Sequence, residues 1–417
     1  MGKLKIIGGE KVYGEVRING AKNSVLPILA ATIINKGTCV LHDCPRLKDV
    51  NSMLSILEHL GCNVKFEDKD IFVDAKNLKN NEIPDNLMRT MRSSIFLMGA
   101  LVTRNKSALI SFPGGCDIGH RPIDLHLKGL KSLGISIKES YGYINCEGSN
   151  LKGNDIHLDM PSVGATENIM LAAVKAEGTT IIRNAAKEPE IEDLQNFLNS
   201  MGAQISGAGT NTIVIKGVKE LHDTEYTIIP DRIVAGTYLT AAASAKGTVI
   251  VRNIYKEHLE PLLSKLRETG CELKWGKDYI KIICDKRSKA VDMVITLPYP
   301  GFPTDLQPQI ASVLATADGT SIITETIFDN RFKYTEELLR MGADIKIDGR
   351  VAVIKGVKKL TGATVYARDL RGGAALVIAS LGAEGTTIIE DIEHIDRGYE
   401  SIEKVLNGLG VKVTRIM

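Results

Sequence analysis

Two kinds of hydrophobic segment alternate along the chain. In one kind nearly every position is apolar, and these segments lie at residues 25–34, 91–102, 165–176, 233–245, 310–317 and 374–383. In the other kind apolar residues recur at helical spacing among polar ones, at residues 47–60, 124–133, 191–201 and 400–409. A helix that is apolar all round is buried, whereas an amphipathic helix buries one face. The pattern therefore predicts six buried helices interleaved with amphipathic ones.

A strand motif with a Gly-Thr pair follows each apolar segment. Its copies are KGTCVLHD from Lys36, EGTTIIRN from Glu177, KGTVIVRN from Lys246, DGTSIITE from Asp318 and EGTTIIED from Glu384, with a degenerate copy, NKSALISF, from Asn105. They recur at intervals of about 70 residues, which indicates an internal structural repeat.

A second motif fixes the register of the repeat. In it a glycine ends a helix and leads into an alternating strand. The copies are LGCNVKF from Leu60, LGISIKE from Leu133, MGAQISG from Met201, TGCELKW from Thr269, MGADIKI from Met341 and LGVKVTR from Leu409. Each unit is thus predicted to contain a buried helix, a strand, an amphipathic helix and two more strands. Six such units divide most simply into two similar domains of three.

The predicted domain boundaries lie at two chain crossovers, near residues 19–22 and 229–232. Residues 22–229 are predicted to form an N-terminal lobe, with a cysteine loop at about 112–121. Residues 1–21 and 230–417 are predicted to form a C-terminal catalytic lobe. In that lobe the short strands at 4–7 and 15–18 pair with the last three repeats.

Charge and composition exclude several classes of protein. Lysine plus arginine number 52 and aspartate plus glutamate 50, so no global field holds the protein on nucleic acid or an anionic membrane. The apolar runs are too short to cross a bilayer, and the N-terminal segment lacks a signal-peptide core. We therefore expect a cytoplasmic protein without nucleic-acid or membrane partners. The seven scattered cysteines predict reduced thiols, mostly buried, rather than disulfides.

Charged and polar residues gather in the first turns of the predicted buried helices. They are Lys22, Asn23, Arg92, residues 162–165, Asp231, Arg232, Asp305 and Arg371. A helix N-terminus offers free N–H groups and partial positive charge, so these positions predict an anion site. Exposed arginines are common, but here most lie at equivalent repeat positions, where planar guanidinium groups can bind phosphate or carboxylate. As exposed cations, Lys22 and Arg397 are expected to contribute little to stability.

Two individual residues have both a structural and a chemical interpretation. Cys116 lies in FPGGCDIGHRPIDLH, where glycines can present the thiol and His120 and Arg121 can lower its pKa. The same segment is equally compatible with a hairpin tip that carries an incidental cysteine. Asp305, in PGFPTDLQPQ, occupies an expected N-cap position, and taken alone it is more readily a helix cap than a base.

The motifs of other enzyme classes are missing from the sequence. The eight histidines form no HExxH pattern and the cysteines no paired CxxC spacing, so no metal site is predicted. There is no GxxxxGK[ST] phosphate loop and no dinucleotide fingerprint followed by a helix. We therefore expect no cofactor.

Motifs spread over essentially the whole chain resemble the UDP-N-acetylglucosamine 1-carboxyvinyltransferase family. They are NGAKNSVLPILAA from Asn19, PGGCDIGHRPIDLH from Pro113, SVGATENIM from Ser162, AAKEPEIEDL from Ala185, PDRIVAGTYL from Pro230, FPTDLQPQ from Phe302, DNRF from Asp329 and HIDRGYE from His394. They occur in the family's order, which is more specific than any single motif.

The resemblance implies a fold and a reaction. The fold is α/β, classed as α+β in some schemes: a two-lobed inside-out α/β barrel of six βαβαββ repeats, three per domain. In the reaction, the sugar 3-hydroxyl of UDP-N-acetylglucosamine adds to C2 of phosphoenolpyruvate and phosphate is then eliminated. This is the first committed step of peptidoglycan synthesis, which supports cell-wall formation, cell shape and division, and the resemblance implies that fosfomycin targets the enzyme.

The resemblance also assigns roles to residues. Cys116 would donate a proton to C3 and form a covalent adduct, and Asp305 would be the base near the 3-hydroxyl, with Lys22 and Arg397 also catalytic. The substrate-binding residues would be Lys22, Asn23, Arg92, Arg121, Pro122, Ile123, Asp124, Leu125, His126, Ser162, Val163, Gly164, Asp305, Ile327, Arg331, Arg371 and Arg397. Five of them, Lys22, Arg92, Arg121, Arg371 and Arg397, match the family's phosphate- and carboxylate-binding cations. Met160 stands where some members carry lysine, so that diphosphate contact is not matched.

Two alternative functions stay open at this stage. One is the sister enolpyruvyl transferase that uses shikimate 3-phosphate, although the PGGC loop and the SVGATENIM segment favour the nucleotide sugar. The other is a catalytically silent binding paralogue with the same fold. The presence of Cys116, Asp305 and the full cationic set argues against this second alternative.

Overall fold

The computed structural model of the protein describes residues 2–114, 118–119 and 122–416. Within them the strands are β1 (Lys3–Ile7), β2 (Tyr13–Arg17), β3 (Thr38–His42), β4 (Asn63–Glu67), β5 (Asp70–Asp74), β6 (Ser107–Ser111), β7 (Ser136–Ser140), β8 (Tyr143–Glu147), β9 (Asp155–His157), β10 (Thr179–Arg183), β11 (Gln204–Ser206), β12 (Thr212–Lys216), β13 (Thr224–Thr227), β14 (Thr248–Arg252), β15 (Glu272–Trp275), β16 (Tyr279–Ile283), β17 (Met293–Ile295), β18 (Thr320–Thr324), β19 (Asp344–Asp348), β20 (Val351–Lys355), β21 (Thr364–Tyr366), β22 (Thr386–Glu390) and β23 (Lys412–Ile416).

Helices alternate with these strands along the chain. They are α1 (Lys22–Thr32), α2 (Lys48–His59), α3 (Asp85–Met88), α4 (Phe96–Asn105), α5 (Asp124–Ser132), α6 (Val163–Ala173), α7 (Pro189–Ser200), α8 (Arg232–Ala245), α9 (Glu260–Glu268), α10 (Gln307–Leu314), α11 (Tyr334–Arg340), α12 (Leu370–Gly382) and α13 (Ile402–Gly408). Short 3-10 turns lie at Arg92–Ile95, Lys256–Leu259, Thr304–Leu306, Arg331–Lys333 and Ile392–Arg397.

The described residues form two compact units. Residues 2–19, 118–119 and 230–416 make up the terminal unit, and residues 20–114 and 122–229 make up the central unit. Gly20 and Ala21 belong to the central unit, where their amides donate to the carbonyls of Asp43 and Ile229. The sequence-based boundary at residue 21 therefore lies two residues further along the chain than the division in the structure.

Each unit contains three small sheets, as the six repeats predict. The central unit has the strand orders β13-β3-β5-β4, β6-β8-β7 and β11-β12-β10-β9, and the terminal unit has β21-β22-β1-β23, β15-β16-β14-β2 and β17-β18-β20-β19. In five sheets the Gly-Thr strand runs parallel to one neighbour and antiparallel to the other. In the β6 sheet a parallel bridge from Glu82 to Leu109 takes the place of the fourth strand.

The N-terminal strands complete sheets formed by the end of the chain. Strand β1 lies between β22 and β23 and pairs antiparallel with both. Strand β2 pairs in parallel with β14, while β13, which precedes α8 in sequence, pairs with β3 of the central unit. The predicted pairing of the first two strands with the C-terminal repeats is confirmed.

The uniformly apolar segments form the buried centre of each unit. In the central unit α4 packs against α6 and α1, and in the terminal unit α12 packs against α10 and α8. Polar side chains within these helices bond across the contacts, as when Asn168 Oδ1 accepts the amide of Gly99 at 2.8 Å. A Cβ atom at Gly99 would lie 2.4 Å from that oxygen, so the close approach of α4 and α6 requires glycine there. The six predicted buried helices are confirmed.

Two cysteines correct the prediction that all thiols are reduced. Cys271 and Cys284 form a disulfide, with their Cα atoms 4.8 Å apart. They flank the β15–β16 hairpin, directly beyond the paired residues Glu272 and Ile283, so the strand register brings them together. Among the other described cysteines, four are free and buried as expected: Cys39, Cys44, Cys62 and Cys146.

Candidate active site

Asp305 lies between two arginines in the terminal unit. Its Oδ1 accepts a hydrogen bond from Arg331 and its Oδ2 one from Arg371, each at 3.0 Å. Both guanidinium side chains are at most 5% exposed, whereas 28% of the aspartate side chain remains accessible. Asp305 thus has a carboxylate that solvent can still reach, paired with two buried guanidinium groups.

The arginines decide the charge of Asp305. Enclosure by the protein would raise its pKa, but the charges of Arg371 and Arg331 outweigh that effect and hold the pKa well below the usual range. A carboxylate in this state accepts hydrogen bonds well and takes up a proton poorly. Asp305 is therefore suited to orienting a hydroxyl group.

The structure contradicts the helix-cap interpretation of Asp305. The residue lies inside the Thr304–Leu306 turn, whose N-cap is Pro303, and α10 begins only at Gln307 without a side-chain cap. The carboxylate is directed to Arg331 and Arg371, which are distant in sequence. Ion pairing, not capping, accounts for its position.

Local structure fixes the arginines around Asp305. Asp369 caps α12, accepting the amides of Arg371 and Gly372 at 3.0 Å each, which sets the first turn of that helix. Arg331 also donates to the carbonyl of Thr304 at 3.2 Å. These contacts hold both guanidinium groups against the turn that carries Asp305.

A third arginine, Arg232, belongs to the same cluster. We call Asp305, Arg331, Arg371 and Arg232 the terminal group. Arg232 begins α8, is 6% exposed, and its charge also lowers the pKa of Asp305. Asp231 caps the helix through the amides of Ile233 and Val234. The sequence signal for Arg232 was its place in the first turn of a buried helix, but it was not assigned to the site.

Two other predicted residues, Ile327 and Arg397, also belong to the terminal unit. Ile327 lies between β18 and the Arg331–Lys333 turn, and Arg397 is the last residue of the Ile392–Arg397 turn, half-buried. Ile118, a described residue of the cysteine loop, accepts the amide of Asn330 at 3.2 Å. That contact places Ile118 beside the residue that precedes Arg331. The predicted Cys116 and Arg121, together with His120, lie outside the described residues.

In the central unit Lys22 and Asn23 begin α1. The ammonium group of Lys22 lies 2.7 Å from Oδ2 of Asp49, in the first turn of α2, and both side chains are at most 10% exposed. The expectation that Lys22 is an exposed cation is therefore wrong. Removing one partner of a buried ion pair destabilises the protein, because the charge of the other partner is left uncompensated.

A second group of central-unit residues forms around the start of α5. Arg92 donates to the carbonyl of Pro122 at 3.3 Å, and Nδ1 of His126 accepts from Asn168 at 3.1 Å. Gly164, in the first turn of α6, faces the imidazole, and an added Cβ would lie 3.0 Å from its Cε1. The structure thus brings the predicted segments 122–126 and 162–164 together.

The remaining predicted residues of this group lie at the starts of α5 and α6. Ile123 precedes α5, while Asp124 and Leu125 open its first turn. Ser162 caps α6, accepting the amide of Ala165 at 3.3 Å, and Val163 is the first residue of that helix. Met160, just before this cap, is 54% exposed, so it presents an apolar side chain at this surface.

The described residues show neither a metal-binding cluster nor a membrane-spanning helix. Residues 2–114, 118–119 and 122–416 contain no cluster of three or more histidine, cysteine, aspartate or glutamate side chains arranged to hold a metal ion. None of the helices described is both long and apolar enough to cross a membrane.

Comparison with known proteins identifies close relatives. The family model "EPSP synthase (3-phosphoshikimate 1-carboxyvinyltransferase)" matches residues 6–406. UDP-N-acetylglucosamine 1-carboxyvinyltransferase 2 of Caldanaerobacter subterraneus subsp. tengcongensis is 75% identical over 417 residues, covering 100% of both chains. UDP-N-acetylglucosamine 1-carboxyvinyltransferase 1 of Carboxydothermus hydrogenoformans is 51% identical, covering 100% of this chain and 99% of that one.

Solved structures have the same fold. The enolpyruvyl transferase NikO from Streptomyces tendae superposes with a TM-score of 0.89 at 25% identity, covering 99% of this chain and 98% of that one. An EPSP synthase from Acinetobacter baumannii gives a TM-score of 0.78 at 17% identity over 100% of both chains, and this likeness concerns the fold alone. The two-domain α/β architecture of six repeats is confirmed.

Proposed function

The chain belongs to the EPSP synthase family and is an enolpyruvyl transferase, and we propose that it uses phosphoenolpyruvate and UDP-N-acetylglucosamine as its substrates. The observation that carries the choice of acceptor is the 75% identity, over the full length of both chains, with a relative named for that nucleotide sugar. The reaction is the enolpyruvyl transfer of peptidoglycan synthesis. The ion pairs of Asp305 with the buried Arg331 and Arg371 place positive charge at this site, which supports chemistry on an anionic substrate.

The proposed reaction has two steps. In the addition, the 3-hydroxyl oxygen of the sugar forms a bond to C2 of phosphoenolpyruvate, its proton is released, and C3 takes a proton. In the elimination, the bond from C2 to the phosphate oxygen breaks and C3 loses a proton. The products are the enolpyruvyl ether of the nucleotide sugar and inorganic phosphate.

Asp305 is proposed to act on the sugar hydroxyl. Its open carboxylate accepts a hydrogen bond from the 3-hydroxyl and so directs the oxygen towards C2. Since Arg331 and Arg371 keep its pKa low, it takes the proton only when at least one of these contacts loosens. The basicity of Asp305 is thus coupled to what its arginines bind.

The other predicted residues have proposed roles in binding. Lys22, Arg92, Arg121, Arg371 and Arg397 bind the phosphate and carboxylate of phosphoenolpyruvate and stabilise the charge that shifts during addition and elimination. Asn23, Ile327 and Arg331 contact the sugar. The uridine diphosphate moiety is held by Pro122, Ile123, Asp124, Leu125, His126, Ser162, Val163 and Gly164, and Gly164 faces the imidazole of His126.

Cys116 is proposed to supply the proton to C3. Its glycine-rich segment and the neighbouring His120 and Arg121 favour an accessible thiol with a lowered pKa. Fosfomycin would then alkylate this residue. Peptide mapping after brief treatment tests the role: an adduct on Cys116 supports it, and adducts only on other cysteines contradict it.

A cytoplasmic location completes the proposal, because both substrates are intracellular metabolites. The nearly even balance of basic and acidic residues is consistent with the absence of nucleic-acid and membrane partners. Fractionation of cells that produce the tagged protein tests the location. Recovery in the membrane or secreted fraction would contradict it.

One other acceptor has a specific observation in its favour. The matching family model is named for 3-phosphoshikimate, so shikimate 3-phosphate is the second candidate. Purified protein should be incubated with phosphoenolpyruvate and each acceptor in turn, and phosphate release measured. Release with UDP-N-acetylglucosamine alone supports the proposal, release with shikimate 3-phosphate alone supports the alternative, and binding without release would indicate a silent paralogue.

A further inference from the structure

Glu325 is a fully buried carboxylate directly after strand β18. Its Oε1 accepts the hydroxyl of Thr296 at 2.8 Å and the amides of Ile327 and Phe328 at 2.8 and 3.2 Å. Its Oε2 accepts the hydroxyl of Thr304 at 3.0 Å. Four donors from three separate chain segments therefore converge on one side chain.

Two of these segments carry residues of the terminal group. Thr304 precedes Asp305 in the same 3-10 turn, and Ile327 lies in the segment that leads to Arg331. Arg331 links the same two segments a second time, because it donates to the carbonyl of Thr304 and to the carboxylate of Asp305. The Glu325 carboxylate is thus a bridge between the turn of Asp305 and the segment of Ile327.

The third segment anchors this bridge to the sheet. Thr296 follows strand β17, is fully buried, and accepts the amide of Thr326 at 2.9 Å while it donates to Glu325. The amide of Glu325 itself donates to the carbonyl of Arg350 at 2.9 Å. The carboxylate is therefore held by the ends of neighbouring strands, and a rigid scaffold of this kind suits a residue that supports a functional site.

We propose that Glu325 is a positioning residue for the nucleotide-sugar site, holding Asp305, Ile327 and Arg331 in register without touching the substrate. The inference rests on the proposed function, which assigns these three residues to the sugar. Three of its hydrogen bonds join the two segments and the fourth anchors them to Thr296, in a place that water does not reach. When an acceptor there is removed, each buried donor loses its partner, and the segments are free to separate.

Two substitutions at Glu325 separate positioning from charge. Glu325→Ala removes all four acceptor contacts. Glu325→Gln keeps one carbonyl oxygen for the three donors at Oε1 and places an amide beside Thr304, whose hydroxyl can turn to accept. We therefore expect a large effect of alanine and a small effect of glutamine.

Glu337 offers a matched control in the same unit. It is a glutamate on α11, 1% exposed, and it accepts the backbone amide of Tyr366 at 3.2 Å. Its ion-pair partners are Arg340 and Arg368, which lie outside the terminal group. Glu337→Ala also removes a buried glutamate, so it should lower the melting temperature. Its kcat and KM values should equal those of the wild type.

The first readout is steady-state kinetics with phosphoenolpyruvate and UDP-N-acetylglucosamine. In Glu325→Ala the KM for the nucleotide sugar should rise by about tenfold or more, while the KM for phosphoenolpyruvate changes by less than about threefold. Glu325→Gln should stay within about threefold of the wild type in both. Wild-type sugar KM in Glu325→Ala, or an equal loss in Glu325→Gln, would overturn the proposal.

The second readout does not depend on turnover. Amide hydrogen exchange should accelerate at Ile327 and Phe328 in Glu325→Ala and stay unchanged there in Glu337→Ala. If the wild type releases no phosphate with these substrates, the proposed function fails, and the exchange result still decides whether Glu325 fixes this segment. Unchanged exchange in Glu325→Ala would overturn the positioning role whatever the substrate.

Discussion

The charges of Arg331 and Arg371, which donate to the two carboxylate oxygens of Asp305, keep this residue ionised. The sequence favoured a helix cap because aspartate before a helix is common. Its arginine partners lie 26 and 66 residues away, so no local pattern could reveal that they meet. The first turns of the buried helices did indicate the correct region, since Arg371 was recognised there. Local periodicity locates such candidates, but only tertiary contacts establish their charge state.

We predict that Asp305→Asn lowers kcat by about a hundredfold or more, because the neutral amide accepts the sugar hydroxyl more weakly and leaves two buried arginines less compensated. Steady-state phosphate release measures the loss. Asp329→Asn is the control, since Asp329 forms a surface ion pair with Arg350 and both side chains are at least half exposed. Equal activity in the two variants would remove Asp305 from the mechanism.

The pH dependence of stability gives the same residue a second test. Because the folded-state pKa of Asp305 is lowered, its contribution to stability is present above the unfolded-state pKa and is lost as pH falls through the folded value. Between pH 5 and pH 8 the unfolding free energies of wild type and Asp305→Asn should therefore differ by a constant amount. A difference that varies across this range would contradict the assigned ionisation.

Asp193 is expected to have the opposite pH dependence. Burial raises its pKa to about 6, although Tyr226 donates to its Oδ1 at 2.6 Å and Ser24 donates to its Oδ2. Since the folded protein holds this proton more tightly, the stabilisation is complete below the unfolded-state pKa of about 4 and is lost as pH rises through about 6. Ser24 follows Asn23 in the first turn of α1, so the bond also supports a candidate binding residue.

Urea unfolding at pH 5 and pH 7 measures this effect. Relative to Asp193→Asn, which cannot ionise, the wild type should lose roughly 1 kcal/mol more stability between the two pH values. The variant is the control for every other titrating group. The same change in both proteins would show that Asp193 does not titrate in this range.

At the scale of elements, local sequence signals were sufficient for most of the fold. The Gly-Thr and helix-stop motifs each specify a turn and the strand beside it, and uniform apolarity identifies α6 or α12 as buried without knowledge of its partners. The partners themselves depend on strand register. That is why scattered cysteines predicted only thiols, while the β15–β16 register unites Cys271 with Cys284.

The disulfide makes a prediction at this scale. It closes a loop of sequence separation 13, so reducing it should lower the free energy of unfolding by about 3 kcal/mol through the greater entropy of the unfolded chain. Chemical denaturation with and without reductant, repeated on the Cys271→Ser/Cys284→Ser variant, measures this loss. If reductant destabilises that variant as much as the wild type, the effect comes from elsewhere.

At the scale of the whole molecule, both units contribute candidate residues. The central unit provides Lys22, Asn23, Arg92 and the segments around His126, and the terminal unit provides Asp305 with its arginines and Arg397. The six repeats were visible in the sequence because each unit repeats its own local pattern. Which acceptor the enzyme uses was not visible in periodicity or composition, and rests on motifs and full-length relatives.

The most direct test of the proposed function is identification of the product. Wild-type protein should be incubated with UDP-N-acetylglucosamine and carbon-13-labelled phosphoenolpyruvate, and the mixture followed by carbon and phosphorus NMR. We predict an enolpyruvyl ether on the sugar 3-oxygen, formed in equal amount with inorganic phosphate. If no ether forms, or if the labelled group is transferred only when shikimate 3-phosphate replaces the nucleotide sugar, the proposed function is wrong.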